Sequence, residues 1–187
     1  KKESYLTLKL CMEMLKTQQY CKVNSSLVSR AFLKIYEKSI AKNIKEIKNT
    51  VSKKIKIAAV LKANAYGLGI ENIVPILYKE NIDFLAVINL EEALEVKRLN
   101  DKLSVLILDE VPVEYLDHVI KNKFSFCVYS ESYLKQLERF SKDELKFLNV
   151  HVKVNTGLNR LGCNLKNVYG LCKSLSTLGV NLEGFCS

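Results

Sequence analysis

From about residue 38 onward, short runs of β-branched and other apolar residues alternate with stretches whose apolar residues recur at helical spacing, each pair taking roughly 20 to 30 residues. Few architectures accept such a pattern. The expected strands are Lys56 to Leu61, Phe84 to Val87, Ser104 to Leu108, Ser125 to Val128, Leu148 to Val154 and Asn181 to Phe185. Between them Leu90, Ala93, Leu94, Val96 and Leu99 form one helical stripe, and Tyr133, Leu134, Leu137 and Phe140 another. Strands this apolar, joined by helical crossovers, imply an α/β protein: either a parallel sheet covered on both faces or a closed barrel. Periodicity alone does not choose between the two.

Upstream, Arg30 to Tyr36 reads as a seventh strand, followed by a helix with Ile40, Ile44 and Ile47 on one side. Residues 1–29 differ in character: Leu6, Leu10, Met14 and Leu15 suggest a helix, and Asn24 to Ser29 a linker. The expected organisation is an upstream segment over 1–29 and one domain over 30–187, long enough to bury a core without disulfide staples.

Composition narrows the function classes. The 29 basic against 20 acidic residues give a net charge of +9, yet all but Arg30, Arg98, Arg139 and Arg160 of the basic residues are lysines. Lysines such as Lys45, Lys48, Lys97 and Lys135 are interleaved with glutamates on helix-like stretches, which makes mostly a solvated mixed face, and no nucleic-acid-binding motif accompanies them. No run approaches the roughly 18 to 20 apolar residues of a membrane span. The six cysteines form no C-x-x-C pair and show no zinc-site spacing, so no metal is expected and the thiols read as reduced, in a cytoplasmic setting. His118, on a helix-like stretch, and His151, entering a strand, share no ligand-like spacing and read as packed or surface residues. Asp109 and Glu110 read as a loop pair without acid and base roles.

One lysine stands apart. In AVLKANAYGLG, residues 59–69, Lys62 ends a buried apolar run where it meets a glycine-containing loop. The C-terminal ends of parallel strands are where such folds build their active sites. Partial desolvation there lowers an amine's pKa and makes it able to condense with an aldehyde as a Schiff base. The segment resembles the cofactor-lysine motif of the alanine racemase family, A-V-x-K-A-[DN]-A-Y-G-H-G, departing from it at Leu68. By that resemblance Lys62 would hold pyridoxal 5'-phosphate and act as one of two catalytic bases, and Tyr66 would hydrogen-bond the cofactor phosphate.

A second stretch, HVKVNTGLNRLG over residues 151–162, is similar to the family's H-x-K-x-D-T-G-M-x-R-L-G, with Asn155 in place of Asp and Leu158 in place of Met. The resemblance implies that Lys153 is carried as a carbamate that orients Arg160, and that Arg160 contacts the cofactor's phenolic oxygen and the substrate carboxylate. A planar, permanently charged guanidinium suits that task. Weaker echoes lie at Arg30 to Leu33 with Asn43 and Ile44, at FLAVINLEEAL (84–94), and at LEGFCS (182–187).

The resemblance covers about residues 30–187 and implies an incomplete (β/α)8 barrel with about six of eight strands, without the family's β-rich C-terminal domain. It further implies interconversion of L- and D-alanine by proton transfer at Cα between two opposed bases, D-alanine supply for peptidoglycan, and a homodimer whose partner donates a tyrosine. A chain lacking that tyrosine and the phosphate-gripping loops is expected to be inactive alone. Two alternatives remain open at this point: a serine racemase or racemase module of a larger fused protein, and a non-enzymatic pyridoxal-phosphate-binding barrel.

Overall fold

The computed structural model describes residues 5–8, 32–82 and 84–187, with the backbone alone for Tyr5–Leu8. Strands β1 (Tyr5–Leu8), β2 (Lys56–Val60), β3 (Phe84–Val87), β4 (Ser104–Ile107), β5 (Ser125–Val128), β6 (Asn149–Lys153) and β7 (Asn181–Cys186) form one sheet. Every neighbouring pair is parallel, and spatial order equals chain order. A doubly wound sheet reverses its strand order at a switch point, whereas a barrel winds in one direction. The unbroken order therefore decides the question that periodicity left open, in favour of an incomplete (β/α)8-type barrel.

Helices α1 (Glu37–Thr50), α3 (Ile70–Lys79), α4 (Leu90–Leu99), α5 (Leu116–Asn122), α6 (Glu131–Leu137), α7 (Lys142–Leu145) and α8 (Val168–Leu178) connect the strands. The six expected strands from β2 onward all form, within a residue of their expected ends. Each of these six strands alternates between two destinations. Outward residues such as Ile57, Ala59, Leu85, Val87, Val105, Ile107, Phe126, Val128, Val150 and Val152 share one apolar core with Ile40 and Ile44 of α1, Ile73 and Leu77 of α3, Ala93 and Val96 of α4, Leu137 of α6 and Leu175 of α8. Inward residues include Ala58, Ala86, Leu106 and Cys127, and all four are buried. Truncating a large outward residue to alanine costs about 2–5 kcal/mol through lost burial and the void left behind. Helix starts are fixed by side chains: Asn89 accepts from Glu92 N, Ser130 from Tyr133 N, and Ser141 with Glu144 forms a reciprocal capping box.

The upstream expectations need correction. Phe32 to Tyr36 is not a strand, and Arg30 and Ala31 lie outside the described residues. The place beside β2 belongs to β1, with Tyr5 opposite Lys56 and Leu8 opposite Ala59. Leu6 thus sits in a strand and not in the expected helix, while Leu10, Met14, Leu15 and the segment Asn24–Ser29 lie outside the described residues. The physical reason is competition. β2 has one free edge, and the alternating Tyr-Leu-Thr-Leu suits an extended edge strand, which excludes any second segment from pairing there.

Candidate functional site

Lys62 follows β2 after Leu61, and the strand end is pinned by Leu61 N donating to Ala86 O of β3 at 2.7 Å. The next residues, within α2 (Lys62–Tyr66), turn the wrong way for L-amino acids: Ala63, Asn64, Ala65 and Tyr66 have φ between +52° and +56°. Such a left-handed turn costs roughly 1–2 kcal/mol per residue, so it persists only where its surroundings over-determine it. The local bonds are dense. Ala65 N donates to Leu61 O at 2.7 Å, Gly67 N and Gly69 N donate to Asn64 O at 3.0 Å each, and Ile70 N donates to the Asn64 side-chain oxygen at 2.9 Å. Lys62 itself is half-buried.

The second motif is a loop after β6 that comes back to pair Cys163 with Val154 in a parallel bridge. Cys163 N donates to Lys153 O and Asn155 N to Cys163 O, both at 2.9 Å. Gly162 is required at the crossing, because at φ +118° a Cβ there would lie 2.6 Å from Asn155 N and 2.7 Å from Val154 C. Asn155 organises the loop. Its oxygen accepts from Gly157 N and Asn159 N at 3.1 Å each, while its nitrogen donates to the Asn159 side-chain oxygen at 2.9 Å. That last donation needs an amide, which gives the replacement of the family's Asp a local purpose here. The loop so formed carries Arg160, exposed on the barrel's rim. Lys153, half-buried at the end of β6, donates from Nζ to Leu108 O at 2.6 Å.

Lys62, Tyr66, Lys153 and Arg160 line one cavity of about 1070 Å³, floored by inward residues including Ala58, Val60, Ala86 and Leu106. Three of its lining residues are cationic side chains and none is an Asp or Glu, so the cavity favours an anionic ligand. An amine able to condense with an aldehyde, a phenol and a guanidinium fit pyridoxal 5'-phosphate, which presents an aldehyde, a phenolic oxygen and a phosphate.

Two lining residues were missed by sequence reasoning. His151 is 3% exposed, faces the cavity, and has Nε2 3.5 Å from the Glu183 carboxylate, which also accepts from Ser125 Oγ. It stands two residues before Lys153 in a strand, and the strand period of two was the available signal. Cys186 also lines the cavity, with its sulfur 3.2 Å from that of Cys127. The Cys127 thiol beside it, helped by Lys153 and His151, brings Cys186 down to about 7, and the same contact with burial pushes Cys127 up. His118 is exposed on α5, as expected of a surface residue. Asp109 and Glu110 act structurally. Asp109 accepts from Tyr129 OH at 2.7 Å, and Glu110 accepts from Tyr129 N, Ser130 N and Ser130 Oγ, which ties the loop after β4 to the loop after β5.

Comparison with known proteins agrees with this geometry. Residues 35–187 match the family model described as alanine racemase, N-terminal domain. Alanine racemase 1 of Caldanaerobacter subterraneus subsp. tengcongensis is 38% identical over 130 residues, covering 70% of this chain and 34% of the relative. Alanine racemase of Helicobacter pylori (strain HPAG1) is 36% identical over 159 residues, covering 82% of this chain and 41% of the relative. Among solved structures, alanine racemase of Clostridium difficile 630 superposes with a TM-score of 0.65 at 33% identity, covering 79% of this chain and 38% of that one. The chain thus spans well under half the length of these relatives. A match running from just before α1 to the last strand, on a shared barrel, identifies the chain as a member of the alanine racemase family, corresponding to that family's N-terminal domain.

Proposed function

We propose that this chain is the barrel portion of a pyridoxal-phosphate-dependent alanine racemase, in which Lys62 holds the cofactor and serves as one base, Tyr66 binds its phosphate, and Arg160, oriented by Lys153, binds its phenolic oxygen and the substrate carboxylate. The observation that carries the reading is one cavity shared by Lys62 and Arg160, nearly a hundred positions apart in sequence, with Lys153 between them on β6. When bound, the cofactor supplies an electron sink for negative charge at the amino acid's Cα. The chain's own part is proton handling and orientation. The Lys62 amine takes or returns the Cα proton from one face. The Arg160 guanidinium fixes the carboxylate, and Lys153, as a carbamate, accepts from that guanidinium and holds it in line. Inversion needs a second base on the opposite face, which this reading assigns to a tyrosine of a partner subunit in a homodimer. The 187-residue chain alone is therefore inactive.

The same reading takes the chain as the barrel unit of a cytoplasmic enzyme that supplies D-alanine for peptidoglycan, and because Tyr5–Leu8 pairs with β2 in the same sheet, the expected boundary at 29/30 does not separate an upstream segment from that unit. Among the described residues no helix is long and apolar enough to cross a membrane. The test is borohydride trapping of pyridoxal 5'-phosphate on the chain, with peptide mapping and a racemisation assay. Label on Lys62 without turnover is expected. Label on another lysine overturns the site assignment, and robust turnover overturns the two-subunit requirement.

A further inference from the structure

The left-handed turn after Lys62 is gripped from outside its own loop. Glu92, in the first turn of α4, accepts from Asn64 N at 2.8 Å through one carboxylate oxygen and from Ile88 N at 3.0 Å through the other. Its own backbone is fixed in turn, since Glu92 N donates to the Asn89 side chain that caps α4. Glu92 lies in the weaker echo at 84–94, outside the two motifs that carry Lys62 and Arg160, and it is not among the residues lining the cavity. We propose that Glu92 is a positioning residue that holds the strained turn after Lys62 and so sets the direction in which the Lys62 amine enters the cavity. The inference rests on the cofactor role proposed for Lys62.

The chemistry calls for a carboxylate. Two backbone N–H groups from two different loops converge on one side chain, and only a carboxylate offers an acceptor to each. A glutamine would turn its NH2 toward one of those donors. Asn64 N then loses its partner in a backbone conformation that L-residues avoid, and relaxation of that turn swings the residue directly before it. Because β3 ends at Val87 beside β2 and Ile88 lines the cavity, the same carboxylate ties the Lys62 turn to the neighbouring strand end.

The test compares wild type, Glu92→Gln and the double variant Glu92→Gln/Ala63→Gly by amide hydrogen exchange and by the rate of borohydride-fixed pyridoxal-phosphate labelling at Lys62. In Glu92→Gln, exchange over residues 62–70 should rise on the order of tenfold or more, with α8 unchanged, and labelling of Lys62 should slow by a similar factor. Ala63 is exposed at φ +54°, so glycine there removes the conformational penalty and should restore labelling. A simple contribution of Glu92 to the stability of α4 would not be rescued at position 63. Wild-type exchange and labelling in Glu92→Gln, an equal rise of exchange in α8, or no rescue by Ala63→Gly would each overturn the proposal. Wild type that takes no label at Lys62 refutes the cofactor reading, while the exchange result still judges Glu92 by itself.

Discussion

At the scale of single residues, the rim of the cavity depends on positions where one atom more is too many. Gly157 and Gly162 both lie at positive φ, +125° and +118°, but a Cβ at Gly157 meets nothing within 4 Å while one at Gly162 runs into the Val154–Asn155 backbone. Both substitutions to alanine carry the conformational penalty, and only Gly162→Ala adds a backbone clash. Urea denaturation should place Gly162→Ala below Gly157→Ala in stability by about 1–3 kcal/mol. Equal midpoints would show that the loop shifts without resistance. Lys62 stood out in the sequence because it ends an apolar run before a glycine-containing loop, while Lys153 and Arg160 stood out only through the resemblance of residues 151–162 to a family motif, and all three line one cavity. His151 and Cys186 did not. His151 could have been placed by its two-residue spacing from Lys153 on one strand, whereas Cys186 lies on a strand with no singled-out residue to fix which side faces the cavity.

At the scale of elements, the strands from β2 onward could be read because both faces of each are covered, which leaves unbroken apolar runs. The strand expected at Arg30–Tyr36 failed for a different reason. Pairing with β2 is a competition between segments remote in sequence, and local propensity does not rank the competitors. The joint between β5, β6 and β7 is electrostatic as well as apolar. The Glu183 carboxyl is held below its ordinary value of about 4.5, first by His151 and then by Ser125, with Lys56 adding to the effect and burial opposing it. A carboxyl lowered by folding adds stability above its unfolded value and loses that contribution as pH falls through the folded one. Chemical denaturation across pH 3 to 6 should therefore show stability falling toward acid in wild type. Glu183→Gln should flatten that limb, and an unchanged limb would remove Glu183 from the account.

For the whole molecule, a ligand reaching from Lys62 beside β2 to Arg160 beyond β6 would bridge elements that span most of the sheet. Binding of pyridoxal 5'-phosphate then adds to global stability by mass action, about 2.7 kcal/mol at a hundredfold excess over its dissociation constant. For a chain of this size that corresponds to a rise in melting temperature of roughly 5–10 °C. A thermal scan with and without the cofactor reads this directly, and Lys62→Ala should reduce the rise. A wild-type chain with an unmoved midpoint would count against the binding mode.

The described sheet has one further property with a mechanical outcome. β2, which leads into Lys62, is hydrogen-bonded to β1 on one side and to β3 on the other. The wall behind the amine is thus clamped along both of its edges. A guest seating against it meets backbone that yields little, so selection by shape falls to the side chains that project from that wall, Ala58 and Val60 among them.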